Sequence, residues 1–173
     1  AALKHKPDKH EAWNNRGIAL GQLERYEDAI ASYDEALKHK PDDNEAWNNR
    51  GVALGQLERY EDEIASYDAA LQHKPDDHEA WNNRGVALGQ LERYEDAISS
   101  FDRALEIKPD KESAHYNKAC YQALLSNPDS ALESLQQAIN LDPEKYREIA
   151  KTDTDFDSLR NDPRFQTLIV SPD

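Results

Sequence analysis

The sequence predicts an all-α fold, an α-α superhelix built from antiparallel helix pairs. Three observations predict it. Trp13, Trp47 and Trp81 recur every 34 residues, and nearly everything around them recurs at the same spacing. The stretch His10–Asp43 returns as Asn44–Asp77 with five changes, and again as His78–Lys111. Each copy contains two runs of helical periodicity, a turn between them and a proline at the end. A chain that copies one unit in this way builds a stack, because each unit contacts only its neighbours.

The elements follow in order. Ala2-Leu3-Lys4-His5-Lys6-Pro7 matches Ala36-Leu37-Lys38-His39-Lys40-Pro41, so residues 1–9 read as the remnant of a preceding repeat and the chain as part of a longer array. Full repeats are expected at 10–43, 44–77 and 78–111, and a degenerate fourth at 112–145. In the first, a helix over Glu11–Leu23 places Trp13, Gly17 and Leu20 on one face. Glu24-Arg25 marks a tight turn. A second helix over Tyr26–His39 carries Ala29, Ile30, Tyr33, Ala36 and Leu37 as its apolar stripe. Pro41 cannot continue that helix, and Asp42-Asp43 offers N-cap chemistry for the next. Gly17 and Ala29 are small enough to let paired helices approach. Burying each tryptophan fully would remove roughly 150–250 Å² from water.

Residues 146–173 break the pattern and read as a terminal lid. A helix is expected over Glu144–Lys151, a short one over Phe156–Arg160 after N-cap residues, and a last one over Pro163–Val170 behind Asp162. Ile149, Phe156, Leu159, Phe165 and Leu168 would cover the last repeat, as a stack requires.

Trp13, Gly17, Ala29, Tyr33 and Pro41 match the signature W-x2-L-G-x2-Y, A-x3-F, P, and the chain resembles the tetratricopeptide repeat family. Trp47, Gly51, Tyr67 and Pro75 match in the second unit, and Trp81, Gly85, Ala97, Phe101 and Pro109 in the third. The fourth keeps Ala119, Ala131, Ala138 and Pro143, with His115 in place of tryptophan. The closing segment, Phe156 to Phe165, resembles that of bacterial members of the family. Two departures stand out. Arg16, Arg50 and Arg84 hold the family's leucine position, and Asp34, Asp68 and Asp102 follow each by 18 residues. Each couple is either a salt bridge inside its repeat or a solvated pair worth about 0–1 kcal/mol. Glu63 stands where a packed alanine belongs; it either snorkels to an arginine such as Arg50 or loosens the second unit.

Composition narrows the function. The chain has 35 acidic and 21 basic residues, for a net charge of −14. Nucleic acid would be repelled, whereas a basic or neutral protein partner would not. One cysteine, Cys120, excludes an internal disulfide and suits a reducing, cytoplasmic setting; it reads as a small buried thiol. No apolar run reaches the roughly 20 residues needed to span a bilayer, and no signal peptide is visible. No nucleophile–base pair, phosphate loop or metal cluster is recognised, so neither an enzyme nor a cofactor is expected. His5, His39 and His73 recur at the repeat spacing, too far apart in space to share one metal ion.

The resemblance implies a groove, lined by the first helices of successive repeats, that receives a peptide or partner helix. The strongest candidates to line it are Asn15, Asn49, Asn83 and Asn117. An asparagine offers a donor and an acceptor together and can pair with a peptide backbone. This row resembles the asparagine ladder in the groove of O-GlcNAc transferase. Asn14, Asn48 and Asn82, with Glu11, Glu45 and Glu79, form a second tier. Gly21, Gly55 and Gly89 would let a ligand come close. Four asparagines would contribute about 2–6 kcal/mol net. Association costs an estimated 4–15 kcal/mol, roughly, so apolar or charged contacts must add to them. The acidic row favours a Lys- or Arg-bearing peptide. No lysine lies on the first helices of the three regular repeats, which disfavours capture of chaperone-tail carboxylates. A protein-interaction scaffold is therefore the expected function. End-to-end self-assembly and service as the targeting arm of a larger enzyme or signalling protein are the alternatives.

Overall fold

The computed structural model describes residues 9–170. The remnant repeat read at residues 1–9 falls, save Lys9, outside the described residues, as does His5. Among the described residues there are helices and turns and no strand.

Two compact units divide the chain, one ending at Ala80 and one starting at Trp81. In the first, α1 (Lys9–Gln22) pairs with α2 (Tyr26–His39), α3 (Asn44–Gly55) pairs with α4 (Tyr60–His73), and α2 packs on α3. The boundary lies within α5 (His78–Gln90). In the second unit α6 (Tyr94–Ile107) packs on α7 (Glu112–Leu124), and α7 pairs with α8 (Pro128–Leu141). Then α9 (Pro143–Thr152) lies on α8, a 3-10 turn at Thr154–Leu159 lies on α7, and α10 (Pro163–Ile169) touches α9 and α8.

The turns repeat as closely as the helices. Arg25 N–H donates to the Leu20 carbonyl at 3.0 Å and Glu24 N–H to the Gly21 carbonyl at 2.9 Å. Those two bonds are the Schellman closure of a helix, with Glu24 in the left-handed region at φ 58°. Glu58, Glu92 and Ser126 adopt the same conformation at the same repeat position. Asp43 caps α3 by accepting from Ala46 N–H at 3.4 Å, and Asp77 caps α5 by accepting from Glu79 and Ala80 N–H at 3.2 Å. Asp142, Asp153 and Asp162 cap α9, the 3-10 turn and α10, two of them ahead of a proline.

The tryptophans are not the buried core that their size suggests. Trp13, Trp47 and Trp81 are half-buried. The physical reason is the indole N–H, which needs an acceptor: that of Trp47 donates to the Pro41 carbonyl at 2.9 Å, at an exposed turn. His115 replaces tryptophan in the fourth repeat, and its Nε2 lies 2.9 Å from the Pro109 carbonyl, so the same clip survives the substitution. The fully buried side chains are instead small alanines, leucines and the second-helix aromatics, Tyr67 and Phe101 among them.

The arginine–aspartate couples also differ from expectation. Arg50 Nε bonds Asp34 Oδ1 at 2.7 Å, and Asp34 belongs to the preceding repeat. Inside its own repeat Arg50 Nη1 instead donates to Ser66 Oγ at 2.6 Å. Arg16 meets Ser32 and Arg84 meets Ser100 in the same way. Lys118 keeps the link to the preceding repeat, bonding Asp102 at 2.6 Å. The side chains reach backwards along the stack, so the ion pair joins repeats rather than bracing one.

At the chain end Phe156, Leu159 and Phe165 are buried and Leu168 packs at their edge. Ile149 is 39% exposed, contrary to expectation. The buried stripe of α9 is Tyr146 and Ala150, four residues apart, and Ile149 falls one position off it.

Close helix approach rests on a matched pair. A Cβ at Gly51 would come within 2.7 Å of the Tyr67 ring, and one at Gly85 within 2.6 Å of Phe101. In the fourth repeat the glycine becomes Ala119 and the aromatic becomes Leu135, both fully buried in one cluster. Gly51→Ala gains about 1 kcal/mol of helix propensity. Overpacking against the ring costs about 1–3 kcal/mol and should win. Denaturant unfolding should show Gly51→Ala destabilised and Gly51→Ala/Tyr67→Leu less impaired than the two single effects summed. Strict additivity would mean that the two side chains do not compete for one space.

Glu63 is buried and does not pair with Arg50, which bonds Asp34 through Nε and Ser66 through Nη1. Its carboxyl lies on Gly55, where a Cβ would meet both oxygens at 2.8 Å. Burial pushes its pKa from 4.5 up to about 7, against the opposing hydrogen bond from Tyr67. An acid whose folded pKa is raised contributes most stability while protonated. That contribution is full below pH 4.5 and is lost as pH rises to about 7. Across this window the wild type should lose on the order of 3 kcal/mol relative to Glu63→Gln. Equal pH profiles of unfolding free energy for the two proteins would show the carboxyl to be solvated.

Candidate functional site

In the first unit α1 and α3 present two adjoining cavities, each of about 320 Å³. One is apolar. Ile18 and Gly21 from α1, Tyr26 and Tyr33 from α2, and Asn49, Val52 and Ala53 from α3 line it. No atom lies within 4 Å of a Cβ placed on Gly21, so its floor is open. Burial, helped by the nearby Glu45 charge, raises the Tyr33 pKa to about 12, so the hydroxyl keeps its proton. The other cavity is polar, with His10, Glu11, Asn14, Asn15, Lys40, Asp43 and Glu45 around it. Three carboxylates there face one lysine and one histidine.

A carboxamide relay links the two cavities. Asn49 Nδ2 donates to Asn14 Oδ1 at 3.2 Å, and Asn14 Nδ2 donates to Glu45 Oε1 at 3.1 Å. Asn14 is buried, which holds the relay in place, whereas Asn15 is exposed at the mouth of the polar cavity. Of the sequence candidates, the fold brings Asn14, Asn15, Asn49, Glu11 and Glu45 together here. Asn48 lies apart, donating to Asn44 at 3.0 Å and to Asp77 at 3.1 Å. Glu79 is exposed near the start of α5.

In the second unit Asn82 is buried and donates to Asn83 at 3.2 Å, and Asn83 and Asn117 are half-buried. The carboxamide oxygens of Asn48 and Asn82 are buried without a donor among the described residues. Gly55 and Gly89 differ from Gly21. The first is covered by the Glu63 carboxyl and the second by the Tyr121 hydroxyl, so neither offers the open approach expected of it.

The second unit also shows what this helix face accepts. Tyr116, Cys120 and Ala123 of α7 occupy the repeat positions of Asn14, Ile18 and Gly21. The chain's own segment after α9 docks on them. Tyr116 donates to Asp153 Oδ2 at 2.6 Å, Ser158 donates to the Ala123 carbonyl at 3.4 Å, and the Phe156 ring packs edge-on to Tyr116 at 5.7 Å. Sequence periodicity could not show this docking, because the segment lies outside the repeat. It also brings Asp153 and Asp155 to Cys120.

Comparison with known proteins bears on the repeat fold. Tetratricopeptide repeat family profiles match residues 14–78, 78–111 and 112–145. No curated protein matches the chain significantly in sequence. Among solved structures, MamA from Desulfovibrio magneticus RS-1 superposes with a TM-score of 0.80 at 22% identity, covering 94% of each chain. A second MamA structure gives 0.81 at 18% identity, covering 94% of this chain and 90% of that one. YrrB, described as a TPR protein with an unusual peptide-binding site, gives 0.74 at 20% identity over 90% of this chain and 80% of its own. These likenesses establish the α-α superhelix fold of antiparallel helix pairs. No helix among the described residues is long and apolar enough to cross a membrane. With consecutive profiles covering residues 14–145 and the fold in agreement, the chain belongs to the tetratricopeptide repeat family of protein-interaction scaffolds.

Proposed function

We propose that the protein binds an extended peptide segment along its first helices, with an apolar side chain in the cavity at Gly21 and a basic one beside Glu11, Asp43 and Glu45. One observation carries this reading. The chain's own segment 153–158 lies on α7 at the positions equivalent to that cavity, with Phe156 buried and a hydrogen bond on each side of it. A foreign segment on α1 and α3 would use the same repeat positions. The asparagines Asn15, Asn49, Asn83 and Asn117 serve as backbone grips; Asn14 and Asn82 bond Asn49 and Asn83 and hold those two in orientation, and Asn48 stays in the second tier.

The charge preference follows from the polar cavity, whose carboxylates outnumber its cations. At half-exposed sites such steering acts mainly on association rate and weakens with salt. Binding a segment in this way requires no catalysis, and a role as the recognition arm of a larger assembly is compatible with it.

Fluorescence anisotropy with peptides that pair an aromatic or aliphatic residue with a neighbouring Lys or Arg tests the proposal. Asn49→Ala should weaken binding about five- to tenfold, the equivalent of one hydrogen bond at roughly 1–1.4 kcal/mol. Glu45→Gln should reduce the preference for the basic residue and flatten the salt dependence. Wild-type affinity in both variants would remove the first unit as the binding site. Light scattering on the free protein separates this reading from end-to-end self-assembly, which demands a mass that grows with concentration.

A further inference from the structure

We propose that Cys120, Asp153 and Asp155 bind a divalent transition-metal ion of the zinc class, and that the bound ion clasps the terminal segment onto α7. The Cys120 sulfur and one oxygen from each carboxylate all lie within 4.8 Å of one another. The donors come from two elements. Cys120 sits in the middle of α7, and Asp153 and Asp155 stand at the start of the 3-10 turn that docks on it. A single ion between them therefore spans the contact.

The surroundings suit a cation. Cys120 is 4% exposed, and its thiol reaches Asp153 Oδ2 at 3.7 Å, a long and weak hydrogen bond for the position. The groups acting on one another here are all acids: Tyr94, Tyr116, Cys120, Tyr121, Asp153, Asp155 and Asp157. Arg160, the arginine of this segment, directs its donors to the backbone carbonyls of Ala150, Lys151 and Asp153 and to Asp157. A divalent ion would supply the positive charge that these neighbours lack.

The donor set selects the ion. One thiolate with two carboxylates suits a borderline-soft metal, whereas calcium and magnesium take oxygen donors throughout. Three protein donors leave a fourth tetrahedral position for water. On binding, the ion displaces the thiol proton to solvent and forms the metal–sulfur bond, so affinity rises with pH. Outer contacts are already in place. Tyr116 donates to Asp153 Oδ2 at 2.6 Å, and Asp153 Oδ1 accepts from Asp155 N–H at 3.1 Å, fixing the carboxylate's orientation. This proposal is independent of peptide binding by the first unit.

Titration of the full chain with Co2+ tests it directly, because a cobalt–thiolate bond gives a charge-transfer band and the chain has a single cysteine. The band should saturate at one equivalent, vanish in Cys120→Ser, and need about tenfold or more cobalt in Asp155→Asn. Zinc should displace the cobalt, protect Cys120 from alkylation until a chelator is added, and raise the thermal midpoint of the wild type. The alkylation measurement needs no variant, so a misfolded Cys120→Ser leaves the proposal testable. Cobalt binding without the band, or zinc that leaves the alkylation rate unchanged, would overturn it and assign any bound ion to the exposed acidic turns.

Discussion

The guanidinium of Arg50 is the joint on which the first unit depends. It holds three things at once: the Asp34 carboxylate of the preceding repeat at 2.7 Å, the Ser66 hydroxyl of its own repeat at 2.6 Å, and the Trp47 ring, whose centroid is 5.8 Å away. An exposed ion pair alone would be worth about 0–1 kcal/mol. Here the arginine side chain is 21% exposed and the aspartate 46%, so the ion pair stays near the weak end of that range, while the bond to buried Ser66 is charge-assisted and worth about 1.5–3 kcal/mol. The geometry matters as much as the energy. Arg50 extends from α3 to both α2 and α4, so it fixes how one helix pair seats on the next. Ser66 is fully buried as it completes this joint, and its hydroxyl donates a hydrogen bond to the Asp62 carbonyl at 2.9 Å. That seating sets the distance between α1 and α3, and hence the size of the cavities between them.

Substitution inside the repeat then decides which stretches of that face stay open. Gly21 is bare, Gly55 lies under Glu63 and Gly89 lies under Tyr121, although the three glycines are identical in sequence context. Glu63 replaces an alanine and accepts a costly desolvation to do so. A carboxyl with a pKa near 7 is neutral or charged according to small changes in its surroundings, so the cover over Gly55 differs chemically from the tyrosine over Gly89.

The architecture was legible in the sequence because it rests on local signals repeated several times. The 34-residue period follows from comparing the units, and the second helix at Tyr26–His39 and the capping prolines follow from any one of them. The side-chain joints were not legible for a specific reason. Asp34 and Asp68 are equally good partners for Arg50 by repeat position, and only the direction in which α3 faces its neighbours chooses Asp34. The tryptophans misled because size argues for burial while the indole N–H argues for an edge, and in Trp47 the hydrogen bond to Pro41 prevails. Within the candidate site, periodicity found Asn14 and Asn49 but not the relay between them. It also missed the meeting of Cys120 with Asp153 and Asp155, which come from a segment with no repeat to register it.

The fourth repeat makes the dependence on these joints explicit, because it changes several partners together. Lysine replaces arginine at Lys118, keeps the bond to Asp102, and has no planar fork with which to serve a serine as well. Ser134 therefore loses the donor that Ser66 and Ser100 receive from arginine. Gln122 stands where the other repeats carry leucine, is itself buried, and accepts from Ser134 at 2.8 Å. Ala119 replaces glycine where Leu135 replaces the aromatic ring, and His115 restores the clip made by tryptophan. The repeat is therefore not decaying at random: each lost contact has a substitute within bonding distance. What the exchange achieves is a helix whose corresponding face carries Tyr116, Cys120 and Ala123 in place of asparagine, isoleucine and glycine. Such a face suits the chain's own aspartates and phenylalanine, and it closes at the point where a terminal segment must dock.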